Sequence, residues 1–130
     1  MNARASRTGI IAAALLFVCT NGLAQNDGTR AALEATRSID AAAINDPLRG
    51  QDWLSHGRTY AEQRFSPLAA IDRGNVSSLG LAWSFDLGST RGVEATPIVV
   101  DGVMYLTASW SVVFALDAAT GRELWKYDPK

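Results

Sequence analysis

Apolar residues change their spacing three times along the chain. Residues 10–18 form an unbroken apolar run, IIAAALLFV, after a start that carries Arg4 and Arg7 and no acid. Gly22 and Ala24 then put small residues at the −3 and −1 positions of a cut after Ala24. A positive start, a short apolar core and a small-residue exit predict a cleaved secretory signal over 1–24. The run is too short to span a bilayer as a helix. From Thr29 to Ile44 the pattern loosens into Ala31, Ala32, Leu33, Ala35, Ile39, Ala42 and Ala43, which predicts one helix of high propensity. Asn45-Asp46-Pro47 ends it, because Pro47 pushes its predecessor out of the helical region. Residues 25–51 are thus a helix and linker, and 52–78 an irregular arm whose Trp53, Tyr60 and Phe65 pin it onto something larger.

From Leu79 the period becomes two. Leu81, Trp83, Phe85 and Leu87 alternate with Ala82, Ser84 and Asp86, as in a half-buried strand. Four short runs follow: 96–100, 103–108, 112–116 and 122–127. Asp101-Gly102 between the first two is a strong hairpin signal. Asp117 and Gly121 suit the turn before the last. The predicted unit is a four-stranded antiparallel meander, so the fold class is all-β. The runs VMYLTA and VVFAL are apolar on both faces. In RELWKY, Leu124 and Lys126 alternate with Trp125 and Tyr127. The inner strands therefore need cover on both sides, which neighbouring sheets would supply.

Composition narrows the function classes. Twelve basic and 13 acidic residues in 130 give a net charge of −1, and 48% of residues are hydrophobic. A scatter of charge without a basic cluster excludes a nucleic-acid partner. Losing residues 1–24 would leave 10 basic and 13 acidic residues. One Cys and one His cannot build a His/Cys zinc site. Cys19 follows Phe17 and Val18, not the small residue that a lipid-anchored Cys requires, so it leaves with the signal. The mature protein starts near Gln25 in the periplasm, with no membrane span.

The strand at 81–86 repeats. Trp83, Phe85 and Asp86 match Trp125, Tyr127 and Asp128 at an offset of 42 residues, within the period of four-stranded propeller blades. Residues 79–130 are then one propeller strand and a first blade. A propeller closes only with several blades, so the chain is expected to be the front end of a longer protein. Within the repeat, ALDAATGRELW (115–125) resembles the tryptophan-docking motif A-x-D-x-x-T-G-x-x-x-W of quinoprotein propellers, in which the Trp packs between adjacent blades. DWLSHGRTYAEQRFSPLAAIDRGNVSSLGLAWSFDL (52–87) and RGVEATPIVVDGVMYLTASWSVVFALDAATGRELWKYDP (91–129) resemble the amino-terminal arm and first blade of quinoprotein alcohol dehydrogenases, including the quinohaemoprotein branch.

The resemblance implies an eight-bladed propeller that holds pyrroloquinoline quinone (PQQ) and Ca²⁺ and oxidises primary or secondary alcohols in the periplasm. It also implies an electron acceptor such as cytochrome c, and a haem c domain can follow. The catalytic Asp base, the adjacent cysteines and the remaining Ca²⁺ ligands of that family have no counterpart before Lys130, so these 130 residues alone are expected to be inactive. The sequence leaves open a second reading, a non-enzymatic periplasmic propeller that uses the same repeats as a protein-binding scaffold.

One residue stands out as a cofactor ligand. Glu94, in Arg91-Gly92-Val93-Glu94-Ala95-Thr96-Pro97, precedes the innermost strand, which lines a propeller's axis. The resemblance assigns the Glu of R-G-x-E-x-T-P a contact with PQQ. A carboxylate beside a polycarboxylate needs a proton, a hydrogen bond or a cation between them. His56, flanked by Ser55, Gly57 and Arg58, reads as exposed. Asp117 and Thr120 read as turn formers. Trp110, between two serines, reads as packing between blades in preference to a cofactor rim. Arg58, Arg64 and Arg91 read as surface or arm-anchoring residues.

Overall fold

A computed structural model describes residues 29–130, with 31 and 35 excepted. The signal peptide over 1–24, Cys19 and the mature terminus at Gln25 lie outside the described residues. Four strands form one antiparallel sheet in the order β1-β2-β3-β4. They are β1 (Ile98–Val100), β2 (Val103–Thr107), β3 (Val113–Asp117) and β4 (Glu123–Tyr127). The Asp101-Gly102 turn has φ 45 and 79, the pair of positive angles that a two-residue hairpin turn needs. It sets the register Val100↔Val103 and Ile98↔Tyr105.

The arm joins the sheet at its inner edge. Trp53 exchanges backbone hydrogen bonds with Val99 at 2.9 and 3.0 Å. Beside it, Asp52 is 9% exposed. One of its oxygens accepts from the Asp101 backbone N–H at 2.9 Å and the other pairs with Arg49 at 2.9 Å. A buried carboxylate is thereby satisfied by the hairpin turn and one guanidinium. Farther along, Tyr60 and Phe65 remain exposed, so only Trp53 among the three arm aromatics acts as a pin within the described residues.

Each face of the sheet is covered, but by different means. On one face Val112, Phe114 and Leu116, with Met104, Leu106 and Ala108, meet Trp83, Phe85 and Leu87. Phe85 and Phe114 stack edge to face at 5.3 Å. The alternation of 81–87 is realised as alternate burial, although Leu81 is 85% exposed. The segment makes no strand ladder. On the other face Val103, Ala115 and Leu124, with Tyr105 and Trp125, pack on Ala32. Ala32 belongs to a helical segment, α1, at 29–37. The Tyr105 hydroxyl donates to the Ala32 carbonyl, and burial pushes the Tyr105 phenol up. A helix therefore covers a face for which the pattern had called for a sheet.

Two local expectations are corrected. The single helix over 29–44 is broken at 38–40, and α2 (Ala41–Asn45) starts anew. Asp40 is extended and its carboxylate caps the Ala43 N–H at 2.8 Å. The Asp40 side chain offers the backbone a local partner that competes with the continuing helix. The stop at Asn45-Asp46-Pro47 holds, with Asp46 extended. In β4 the alternation fails. The register slips between Ala115 and Leu116, so Leu124 and Trp125 pack in the same cluster. A bulge adds one residue and turns two successive side chains toward one face. Lys126 then crosses to the other face, its Nζ 5.4 Å from the Phe114 ring.

Candidate functional site

The meander puts the segments before β1, between β2 and β3, and after β4 at one end of the blade. Glu94 lies there. It is exposed and forms no hydrogen bond or ion pair among the described residues. With Arg91, Gly92, Ser109 and Trp110 it lines a cleft of about 540 Å³. The larger hollow, about 910 Å³, lies at the opposite end, between the arm and the turns at 101–102 and 117–119. Two of its acids are committed, Asp52 to Arg49 and the hairpin and Asp117 to its own turn, while Asp101 stands on the exposed hairpin turn. The smaller cleft sets an uncommitted carboxylate beside an aromatic ring and a guanidinium.

Two loops are clamped together around Glu94. The Ser89 hydroxyl donates to Ser109 Oγ at 3.0 Å and accepts from the Arg91 backbone N–H at 3.2 Å. Trp110 and Ser111 both have left-handed backbones, φ 65 and 62. For non-glycine residues this conformation costs about 1–2 kcal/mol each. The result is an indole 62% exposed, with the Arg91 guanidinium 4.7 Å above its ring. Trp110 lines the cleft with a cation on its face, and no neighbouring blade is among the described residues.

His56 is exposed, as expected, yet it is also a tether. Its Nδ1 lies 3.1 Å from Thr96 Oγ1 and its Nε2 meets the Arg64 guanidinium. Both ring nitrogens are thus engaged, one by the arm's own Arg64 and the other by Thr96. This links the arm to the residue two places after Glu94. Trp53 Nε1 adds a bond to the His56 carbonyl at 3.3 Å. Arg64 is thus an arm anchor, whereas Arg91 is not. The lone His signalled exposure in the sequence, but the tether needs the arm's path, which residue spacing does not show.

Asp117 and Thr120 are turn formers, as read. Asp117 Oδ1 accepts from the Thr120 hydroxyl at 2.9 Å and from the backbone N–H groups of Thr120 and Ala119 at 2.9 and 3.1 Å. These bonds, the Thr120 hydroxyl first, hold its carboxyl below the ordinary carboxylate value, with help from Arg122. Gly121 closes the turn at φ 72, and a side chain there would strike the Trp83 ring at 2.4 Å. Trp83 lies flat on this turn and its Nε1 donates to the Ala118 carbonyl at 3.2 Å.

Which groups could this end of the blade hold? A planar polycarboxylate suits it. Arg91 offers in-plane donors, Trp110 an aromatic surface and Glu94 an uncommitted carboxylate. Among the described residues no cluster of three or more His, Cys, Asp or Glu could hold a metal ion. Nor is any described helix long and apolar enough to cross a membrane.

Comparison with known proteins brings these features together. Residues 53–130 match the family described as "PQQ: Glucose/ethanol/alcohol dehydrogenase, beta-propeller domain". The chain is 63% identical over 93 residues to quinohemoprotein alcohol dehydrogenase ADH IIB of Pseudomonas putida, covering 71% of this chain and 14% of that protein. It is 62% identical over 81 residues to 1-butanol dehydrogenase (cytochrome c) of Thauera butanivorans, covering 62% of this chain and 12% of that protein. The crystal structure of quinohemoprotein alcohol dehydrogenase from Comamonas testosteroni superposes with a TM-score of 0.71 at 52% identity, over 79% of this chain and 15% of that one. The chain spans only a small part of the length of each of these relatives.

Proposed function

This chain belongs to the β-propeller family of PQQ glucose, ethanol and alcohol dehydrogenases, and we propose that it forms the amino-terminal part of a periplasmic enzyme that oxidises alcohols to aldehydes or ketones. The observation that carries the reading is Glu94, an uncommitted carboxylate in a cleft just before the innermost strand of the blade. The alcohol dehydrogenases among the relatives supply the substrate class. A cytochrome c acceptor is carried over from the name of the Thauera butanivorans enzyme, and a haem group from the quinohemoprotein relatives.

Bound PQQ supplies the two-electron acceptor for the alcohol. This chain's part is to hold and orient that cofactor. Glu94 faces it, directly or through Ca²⁺ or a proton, and the His56–Thr96 bond steadies the segment that carries Glu94. A Ca²⁺ ion would need carboxylates besides Glu94, because the described residues bring no others to the cleft. The signal over 1–24 would direct export, and mass analysis of periplasmic enzyme should find Gln25 first.

Reconstitution tests the function. Full-length apo-enzyme is loaded with PQQ and Ca²⁺, and dye-linked alcohol oxidation is followed against cofactor concentration. Glu94→Gln keeps the shape and removes the charge. Half-saturation should rise roughly tenfold, as for one lost charge-assisted contact, with the fold intact. Wild-type half-saturation in the variant would remove Glu94 from the site. An enzyme that oxidises no alcohol when loaded would overturn the function itself.

A further inference from the structure

A carboxylate that faces a polycarboxylate leaves a charge problem, and the residue beside Glu94 answers it. We propose that Arg91, seated on Trp110, receives a carboxylate of the quinone cofactor; this rests on the reading of the cleft as the PQQ site. Arg91 takes part in none of the ion pairs among the described residues. Its guanidinium is held by the Trp110 ring at 4.7 Å. The guanidinium donors of Arg91 make no hydrogen bond among the described residues, so they are free to grip a carboxylate with two parallel bonds. A Lys ammonium has no planar fork of this kind.

The backbone supports the same conclusion. Two consecutive left-handed residues, Trp110 and Ser111, bring a large aromatic ring to an exposed position under a cation. Strain of this kind persists where the surroundings enforce it, and it gathers at ligand sites. Here the Ser89–Ser109 bond ties the loop of Trp110 to the loop of Arg91. Glu94 and Arg91 line one cleft without pairing with each other, so both charges remain available to a ligand. Arg91 offsets the repulsion that Glu94 alone would present.

The test compares two ligands in full-length apo-enzyme by fluorescence titration: PQQ and its trimethyl ester, which keeps the ring system and carries no carboxylate charge. Arg91→Gln should weaken PQQ binding about tenfold or more and ester binding less than about twofold. Arg91→Lys should keep part of the preference for PQQ over the ester. The thermal midpoint should not move, because Arg91 is exposed and takes part in no ion pair among the described residues. Unchanged PQQ affinity in Arg91→Gln, or equal losses for both ligands, would overturn the assignment while leaving the enzyme's function intact. Wild-type enzyme that binds neither ligand would overturn the assignment and the function together.

Discussion

Trp83 and Trp125 occupy equivalent places in the repeat, yet they are in different states. Trp83 lies on the Gly121 turn and donates to the Ala118 carbonyl. The Nε1 of Trp125 is buried and has no acceptor among the described residues. Its ring packs beside Tyr105, centroids 6.2 Å apart, on the face that α1 covers. An A-x-D-x-x-T-G-x-x-x-W repeat supplies both halves of a contact, a turn that accepts and a tryptophan that donates. The turn at 117–121 has received its tryptophan from the preceding repeat, 42 residues before Trp125, while Trp125 itself has no acceptor among the described residues. The helix buries the apolar part of Trp125, but the Ala32 carbonyl that it presents to this face accepts from the Tyr105 hydroxyl. The two faces thus differ in polar satisfaction more than in apolar cover.

The largest effect expected from breaking this asymmetry is on the satisfied side. Trp83→Ala removes the ring that covers the Gly121 turn, one hydrogen bond and part of the cluster around Phe114. Trp83 is half-buried, so the cost should fall below that of a core tryptophan, at about 2–3 kcal/mol. Urea unfolding of the 130-residue chain, followed by far-ultraviolet circular dichroism, would measure it. A cost under about 0.5 kcal/mol would mean that 81–87 does not dock on the blade in solution.

A smaller effect is expected in the turn that receives Trp83. Asp117→Ala deletes three acceptor bonds. Solvent reaches the turn, so the loss should be about 1 kcal/mol at neutral pH. The native carboxyl is held below its ordinary value. Asp117 therefore adds stability above the ordinary carboxylate value, and that stability is lost as pH falls through the lowered native one. Wild type and variant should converge in acid. A gap that stays constant down to the native value would show that the charge plays no part.

The sequence showed the blade more readily than its surroundings, and physics explains the boundary. Asp101-Gly102 and Asp117…Gly121 fix turns by backbone preference, so the meander and its strands were legible locally. Alternation at 81–87 was also legible, but a period of two reports which side chains are buried and says nothing of backbone pairing. The segment buries Trp83, Phe85 and Leu87 without a ladder. The break before α2 was hidden, because alanines carry a helical signal through any register and the Asp40 cap competes with it only by one side-chain bond. At the cleft, the place of Glu94 before the inner strand was legible, while its reading as a cofactor ligand rests on the R-G-x-E-x-T-P resemblance. Arg91 on Trp110 was not legible, because a left-handed tryptophan leaves no mark in composition or spacing.

The smallest effect is the sharpest comparison, since it asks whether an indole N–H matters on one face and not on the other. Phe keeps most of the ring and removes the donor. In the 130-residue chain, Trp83→Phe loses the bond to Ala118 and should cost about 1 kcal/mol. Trp125→Phe removes a buried donor that has no partner, which offsets the lost ring area, so its cost should lie within about 0.5 kcal/mol of zero or favour the variant. In a longer protein whose next repeat brings a turn like 117–121 to Trp125, the donor gains an acceptor. The same substitution should then cost about as much as Trp83→Phe. The measurement is a pair of urea titrations on the 130-residue chain, followed by the shift in thermal midpoint for Trp125→Phe in the full-length enzyme. Equal costs for the two substitutions in the short chain would show that Trp125 finds an acceptor there. A cost that stays near zero in the full-length enzyme would show that Trp125 does not repeat the docking of Trp83.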